Sequence, residues 1–360
     1  MAKVQRGSLL VYKFFDIAEE IDLEGIENSP DFRRKASRFR LTRKTLKAVV
    51  VPQPPLTLRL GSVSFEWQNS PYTGRLHVRL YDFGAVSFLL RIPLPPHTDL
   101  KGLERWIDFL YDEVFENLCR RYLDELIKAL HPYLVQPHVK ELTEEYLIYY
   151  FERLSVPLET FREQADLPRL LYGEDEDFSP QIRQDLLRHS YSYSTEDLVV
   201  IGWEAAIVVE PSGIMEIPDI LEFAHVQILE LTYYDELLDR ELAHAYEQVE
   251  HPQRFLWLHI GHYRRVMRRL FQRRLEITEV IERVMNAIKI TEDVYFARVY
   301  RSAQQVFRSL ERIRNIENKI EMFNQFYQFI GQEISNIRLE ILEMSILLLI
   351  LLEVILMLWQ

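Results

Sequence analysis

No proline occurs after Pro252, although all sixteen of the chain's prolines lie at or before that position, and the last 108 residues hold only two glycines, Gly261 and Gly331. Proline removes a backbone donor and clashes with the preceding turn, so its absence permits unusually long helices. The apolar spacing uses that freedom. Leu256, Ile260, Tyr263, Met267, Leu270, Ile277, Ile281, Val284 and Ile288 follow steps of four and three, with Arg274 out of pattern. Ile313, Ile316, Ile320, Phe323, Tyr327, Ile330, Ile334, Ile337, Ile341 and Met344 continue the rule without a miss, through to Leu358. Sustained heptads pack helices along a seam. Joined near Lys289–Asp293, the two series predict a long antiparallel helical hairpin, a coiled coil, over 251–343, suited to homo-oligomer formation.

The second helix changes character along its length. Before Ile341 its off-seam positions are polar, as at Glu317, Lys319, Gln325, Glu333 and Arg338. From Met344 to Trp359 the chain reads MSILLLILLEVILMLW, with Glu353 its one charge. A helix apolar on every face lies in a large core or in lipid. Sixteen residues give about 24 Å of helix, against a hydrocarbon core of about 30 Å. The sequence runs out at Gln360, so the tail 344–360, including Ile346, Leu349, Leu352, Glu353, Leu356 and Trp359, is expected to enter a lipid bilayer or meet a partner. Glu353 falls opposite the seam, where a carboxyl in lipid needs neutralising or a neighbouring helix.

Before Glu250 the pattern is mixed. Strand-like runs cover Leu9–Phe15, Leu56–Trp67, Arg75–Leu80 and Val86–Ile92, the last two joined by a turn at Tyr81-Asp82-Phe83-Gly84. A helix is expected from about Asp99 to Leu130, where Pro132 stops it. Tyr146–Phe151 reads as a strand, Leu198–Ile201 and Ala205–Val209 as a second hairpin, and Pro218–Glu250 as a long helix. Hairpin then helix thus recurs. The fold class is α+β in an N-terminal region of two related halves, 1–140 and 141–250, followed by the helical hairpin and the apolar tail. Gly173–Asp177 is a solvated acidic loop between the halves.

Composition excludes several functions. With 48% hydrophobic and 27% charged residues in 360, the chain can bury a core. A single cysteine, Cys119, excludes a disulfide framework and a cysteine-only zinc site. Neither GxGxxG nor GxxxxGK[ST] is present, so the usual phosphate-cradling loops are absent. The formal charge of −12 argues against a protein that coats nucleic acid over its whole surface. The N-terminal MAKVQRGSLLVYKFF is not a secretory signal peptide.

Two basic clusters stand out. Arg33, Arg34, Lys35, Arg38, Arg40, Arg43, Lys44 and Lys47 lie in one run, Phe32–Lys47, suited to RNA phosphates or anionic head groups. The plainer reading is an exposed segment paired with the protein's own carboxylates. Arg264, Arg265, Arg268 and Arg269, with Arg273 and Arg274, share a broad helical face. That face suits an acidic protein partner or nucleic acid, or pairs with carboxylates on the second seam helix. His259 and His262 stand three apart, as metal ligands can, but lack a third ligand and read as two polar-face histidines. Glu216, Asp219 and Glu222 open a helix, where the macrodipole favours anions. Cys119 reads as a packing cysteine. No nucleophile is matched with an oriented base, and no cofactor or metal is expected.

The stretch Lys319–Leu356 and the hairpin Tyr81–Leu90 resemble the family of bacterial YagE and "required for meiotic nuclear division" proteins. The carriers are Arg338, Glu340, Leu342-Glu343 and Glu353, and the glycine-containing strand pair. That resemblance implies a membrane-anchored protein of no established chemistry, with organellar members supporting translation at a membrane. The expected function is a membrane-anchored, non-enzymatic scaffold or tether, its globular part cytoplasmic. The alternatives are a soluble coiled-coil oligomer with buried tails, and an RNA- or ribosome-associated protein.

Overall fold

A computed structural model of the chain describes residues 2–32, 36–38, 49–50, 53–174, 178–250, 256–286, 289–290 and 294–359. It divides into two compact units, Met1–Glu230 with Arg283–Leu310, and Leu231–Glu282 with Glu311–Gln360. The fold is an N-terminal α+β region built on one mixed sheet, followed by long helices.

The first unit is organised by a sheet of ten strands among the described residues. Its long members are β1 (Lys3–Asp16), β2 (Leu56–Trp67), β3 (Ser70–Leu80), β4 (Ala85–Pro93) and β5 (Glu144–Leu154). The hairpin β6 (Leu198–Ile201) and β7 (Ala205–Val209) completes the other side. Spatial order runs β6-β7-β5-β1-β4-β3-β2, with Ser190–Tyr191 and Ala36–Arg38 at the two edges and Thr98–Asp99 beside β1. Among the described residues only β5 and β7 pair in parallel; both hairpins enter one continuous sheet.

β1 is central, antiparallel to β4 on one side and to β5 on the other. From Gly7 to Asp16 it is buried on both faces, which explains its near-continuous apolar run. Leu9, Val11 and Phe15 enter the main core with α1 (Glu113–Leu130), which contributes Phe115, Leu118, Cys119, Leu123, Leu126 and Leu130. The opposite face of β1 carries Tyr12 and Phe14, which stack at 5.9 Å.

Two turns fix local geometry. At the β3–β4 turn Tyr81 N–H donates to Ala85 O (3.0 Å) and Gly84 N–H to Tyr81 O (3.2 Å). Gly84 has φ of +102°, and a Cβ there would lie 1.7 Å from Ala18 O, so only glycine fits. The helix expected from Asp99 begins later. Asp112, extended at φ −77° and ψ 140°, caps α1 by accepting from Val114 N–H (2.8 Å). Before it stand two 3-10 turns, Glu104–Trp106 and Asp108–Tyr111.

The long helices are α2 (Glu216–Glu250), α3 (Leu256–Asn286), α4 (Val294–Val306) and α5 (Ser309–Leu358). The two helices expected to join near Lys289–Asp293 are not joined directly. Lys289–Ile290 pairs with Val49–Val50, and α4, in the first unit, precedes α5. Arg308, at φ +54°, separates the last two helices.

In the second unit α5 buries one side of its first half, with Phe326 buried and Tyr327 of the expected series exposed. Ile316, Phe323, Phe326, Ile330, Ile334 and Ile337 are buried, and so are Tyr234, Leu238, Leu242 and Ala245 of α2. Lys319 reaches Asp235 (2.6 Å) and Asp239 (2.7 Å), and Tyr246 meets Phe326 at 4.7 Å. Arg269 of α3 lies 3.9 Å from Glu241 of α2. So α2 joins α3 and α5, because its own steps of four and three continue past Leu231. Beyond Ile337 no residue of α5 is buried.

Candidate functional site

Two places present chemistry that packing alone does not require. The first is the sheet face beneath the opening of α2. Residues 216–230 of that helix are almost wholly buried yet include Glu216, Asp219, Glu222, His225, Gln227 and Glu230. Buried charge must find partners or neutralise. Arg79 of β3 supplies two: its Nη1 lies 2.6 Å from Glu222 Oε2, and its Nη2 lies 2.9 Å from Asp219 Oδ1. The Tyr81 hydroxyl also donates to Glu222 (3.3 Å). Burial pushes both carboxyls above their usual range, while the guanidinium between them pulls them back. This corrects the expectation that these acids merely complement a helix end.

His225 lies among rings, 4.1 Å from Tyr146, 4.0 Å from Phe307 and 5.4 Å from Phe14. Burial drives its pKa down to about 3, so it is neutral at pH 7. Neither ring nitrogen has a hydrogen-bond partner among the described residues. Glu230 is likewise buried without a partner, and burial raises it to about 7 against the pull of Lys140 and His138. Those two side chains hold the buried Asp16, His138 Nε2 at 3.0 Å and Lys140 in direct contact.

Next to Arg79 the sheet face opens into a cleft of about 180 Å³, lined by Thr57, His77, Arg79, Ser87, Arg91, Met215 and Glu222 among others. Arg91 donates to Ser8 Oγ (3.1 Å) and Glu152 (3.1 Å), and lies over the Tyr150 ring at 5.8 Å. His77 is held below the usual imidazole range, first by burial and then by Arg59, Arg91, Arg75 and Arg79. The sequence runs LTLRL and RLHVRL carried the alternating pattern that puts these groups on one face, but their convergence needs strand register.

The second place is the end of α5. Every residue from Leu342 to Trp359 is exposed, Leu347 at 62% and Trp359 at 89%. Ile346, Leu349, Leu352, Glu353 and Leu356 share that exposure. The helix is long and apolar enough to cross a membrane, and none of its apolar stretch is buried in the protein.

The other expected sites are placed unevenly. Arg33, Arg34, Lys35, Arg40, Arg43, Lys44 and Lys47 lie outside the described residues. Arg38 is committed internally, to Glu27 (2.7 Å) and Pro54 O (2.9 Å). Arg264, Arg265, Arg268 and Arg269 are exposed on α3. The side chains of His259 and His262 lie outside the described residues, and no cluster of three or more metal-ligating side chains occurs among those described. Cys119 is a buried free thiol whose pKa burial pushes up.

Comparison with known proteins overturns the resemblance drawn from the C-terminal helix. A family profile described as "Uncharacterized protein MJ0711, N-terminal domain" matches residues 6–216. The "Uncharacterized protein MJ0711" of Methanocaldococcus jannaschii is 27% identical over 237 residues, covering 65% of this chain and 71% of that one. No solved structure matches. The YagE and meiotic-division likeness rested on the helix Lys319–Leu356 and the short hairpin Tyr81–Leu90, and an aliphatic helix end and a glycine-containing strand pair recur in unrelated chains. The profile match instead spans β1 through β7, residues whose order is tied to one sheet. The chain belongs to the family of the MJ0711 N-terminal domain.

Proposed function

We propose that this protein is a membrane-attached scaffold, with the end of α5 inserted in a bilayer and the α+β unit held at its cytoplasmic side. The observation that carries the reading is the unbroken exposed run Met344–Trp359, in which Glu353 is the one charge. Contiguous apolar surface of this kind marks a membrane or protein contact. Its other polar side chain is already satisfied, since the Ser345 hydroxyl donates to Ile341 O (2.7 Å), as a helix in hydrocarbon requires. Glu353 would cost a few kcal/mol in lipid, which pairing between copies of the helix would offset. The buried free thiol of Cys119 suits a reducing compartment.

Deleting 344–360 tests the reading. The intact chain should stay in the membrane pellet after alkaline washing, and the truncated chain should move to the supernatant. An intact chain that is soluble and monomeric without detergent would overturn it. A detergent-free oligomer of defined mass would instead favour tails that bury one another.

A further inference from the structure

Three adjacent strands gather more positive charge on one face than the fold uses. In register, Arg59 stands opposite His77, and Arg75 stands directly opposite Arg91. One row further, Thr57, Arg79 and Ser87 align. Like charges directly opposite each other weaken a sheet. Arg79 is matched by Asp219 and Glu222, and Arg91 by Glu152, a carboxylate that also pairs with Arg6 (2.6 Å). Arg59 and Arg75 are exposed, and neither is ion-paired among the described residues. His77 Nδ1 is buried and has no hydrogen-bond partner there. His77, Arg79 and Arg91 line the cleft of about 180 Å³, while Arg59 and Arg75 stand in the same rows outside its lining.

We propose that this cleft binds a phosphate group, as a phosphomonoester anion, through Arg91 and His77 in its lining and Arg75 from the row beside it, with Arg59 farther out on the rim. Guanidinium groups match phosphate oxygens in charge and fork geometry. Glu222 in the cleft lining is engaged by Arg79 and the Tyr81 hydroxyl. A nucleic-acid strand fits less well. Within these rows the one apolar side chain is Leu89 and the one ring is the His77 imidazole, which is half-buried. The neighbouring ring of Tyr150 already lies under Arg91, so the rows offer no series of rings on which successive bases could stack. The phosphate can be carried by a soluble metabolite or by a lipid head group; both present the same dianion.

Calorimetry on the full chain in detergent, at constant ionic strength, tests the site with inorganic phosphate, glycerol phosphate and short-chain phosphatidate. Saturable binding is expected, weakened at least tenfold by Arg75→Gln and by His77→Gln. Arg59→Gln, on the exposed rim, should weaken it less and serves as a variant that leaves the interior untouched. Binding of inorganic phosphate or glycerol phosphate assigns a soluble ligand; binding of short-chain phosphatidate alone assigns a lipid. The proposal is overturned if none of the three binds, if chloride competes equally, or if folded Arg75→Gln and His77→Gln bind as the native chain does. Tight binding of a single-stranded RNA that phosphate cannot displace would also overturn it.

Discussion

Arg79 decides the state of two buried acids. Removing one partner of a buried pair leaves uncompensated charge, at a typical cost of about 3–5 kcal/mol. Arg79→Met should therefore lower the thermal midpoint sharply, and adding Asp219→Asn with Glu222→Gln should restore part of the loss. Equal midpoints for Arg79→Met and the native chain would refute the account. His225 gives a pH signature. Its folded pKa of about 3 lies below the unfolded value of about 6.5. The stability it contributes is thus present above pH 6.5 and is lost as pH falls toward 3. Glu230, raised to about 7, runs the other way: its contribution is present below about 4.5 and fades as pH climbs through 7. His225→Phe should flatten the acid limb of a stability–pH curve; Glu230→Gln should gain on the native chain between pH 5 and 8. Denaturant midpoints across that range check both. The spacing of Glu216, Asp219 and Glu222 was legible in the sequence, but the cation of the last two was not. Arg79 is 143 residues from Glu222, and local pattern carries no information at that distance.

Helix α5 holds two environments on one rod. Ile330 is fully buried in the seam, whereas Leu349 is 64% exposed. Ile330→Ala should destabilise the second unit by about 2–5 kcal/mol, and Leu349→Ala should change it little. Hydrogen exchange of α5 amides in detergent separates them, and matching effects would mean that the seam is misassigned. The heptad series matches this buried side at Ile316, Phe323, Ile330, Ile334 and Ile337 but not at Tyr327, which is exposed. It could not reveal that α2 shares that side, since heptads specify a face and not the occupant opposite. Strands were legible where turn residues bound them: Leu56–Trp67, Leu198–Ile201 and Ala205–Val209 coincide with their expected limits. The start of α1 was misread because Leu103, Trp106, Ile107 and Leu110 keep helical spacing in 3-10 turns. There Asp112 resets the backbone.

At the scale of the chain, the boundaries of the two units fall inside three helices, at 230/231, 282/283 and 310/311. A proline-rich first part and a proline-free remainder mark a change in composition, whereas continuous helices carry the chain across each of these points. The family match covers residues 6–216 and so takes in the whole sheet, including His77 and Arg91, while the apolar rod lies beyond it. The placement of β1 has a consequence for assembly. Val11 sits opposite Leu90 on one flank and Leu147 on the other, so the earliest strand of the chain waits for segments that arrive much later. Closing such loops costs entropy before any contact rewards it. Until residue 154 is in place, the first strand keeps an unpaired, greasy border, and a nascent chain stalled earlier offers that border to any strand it meets.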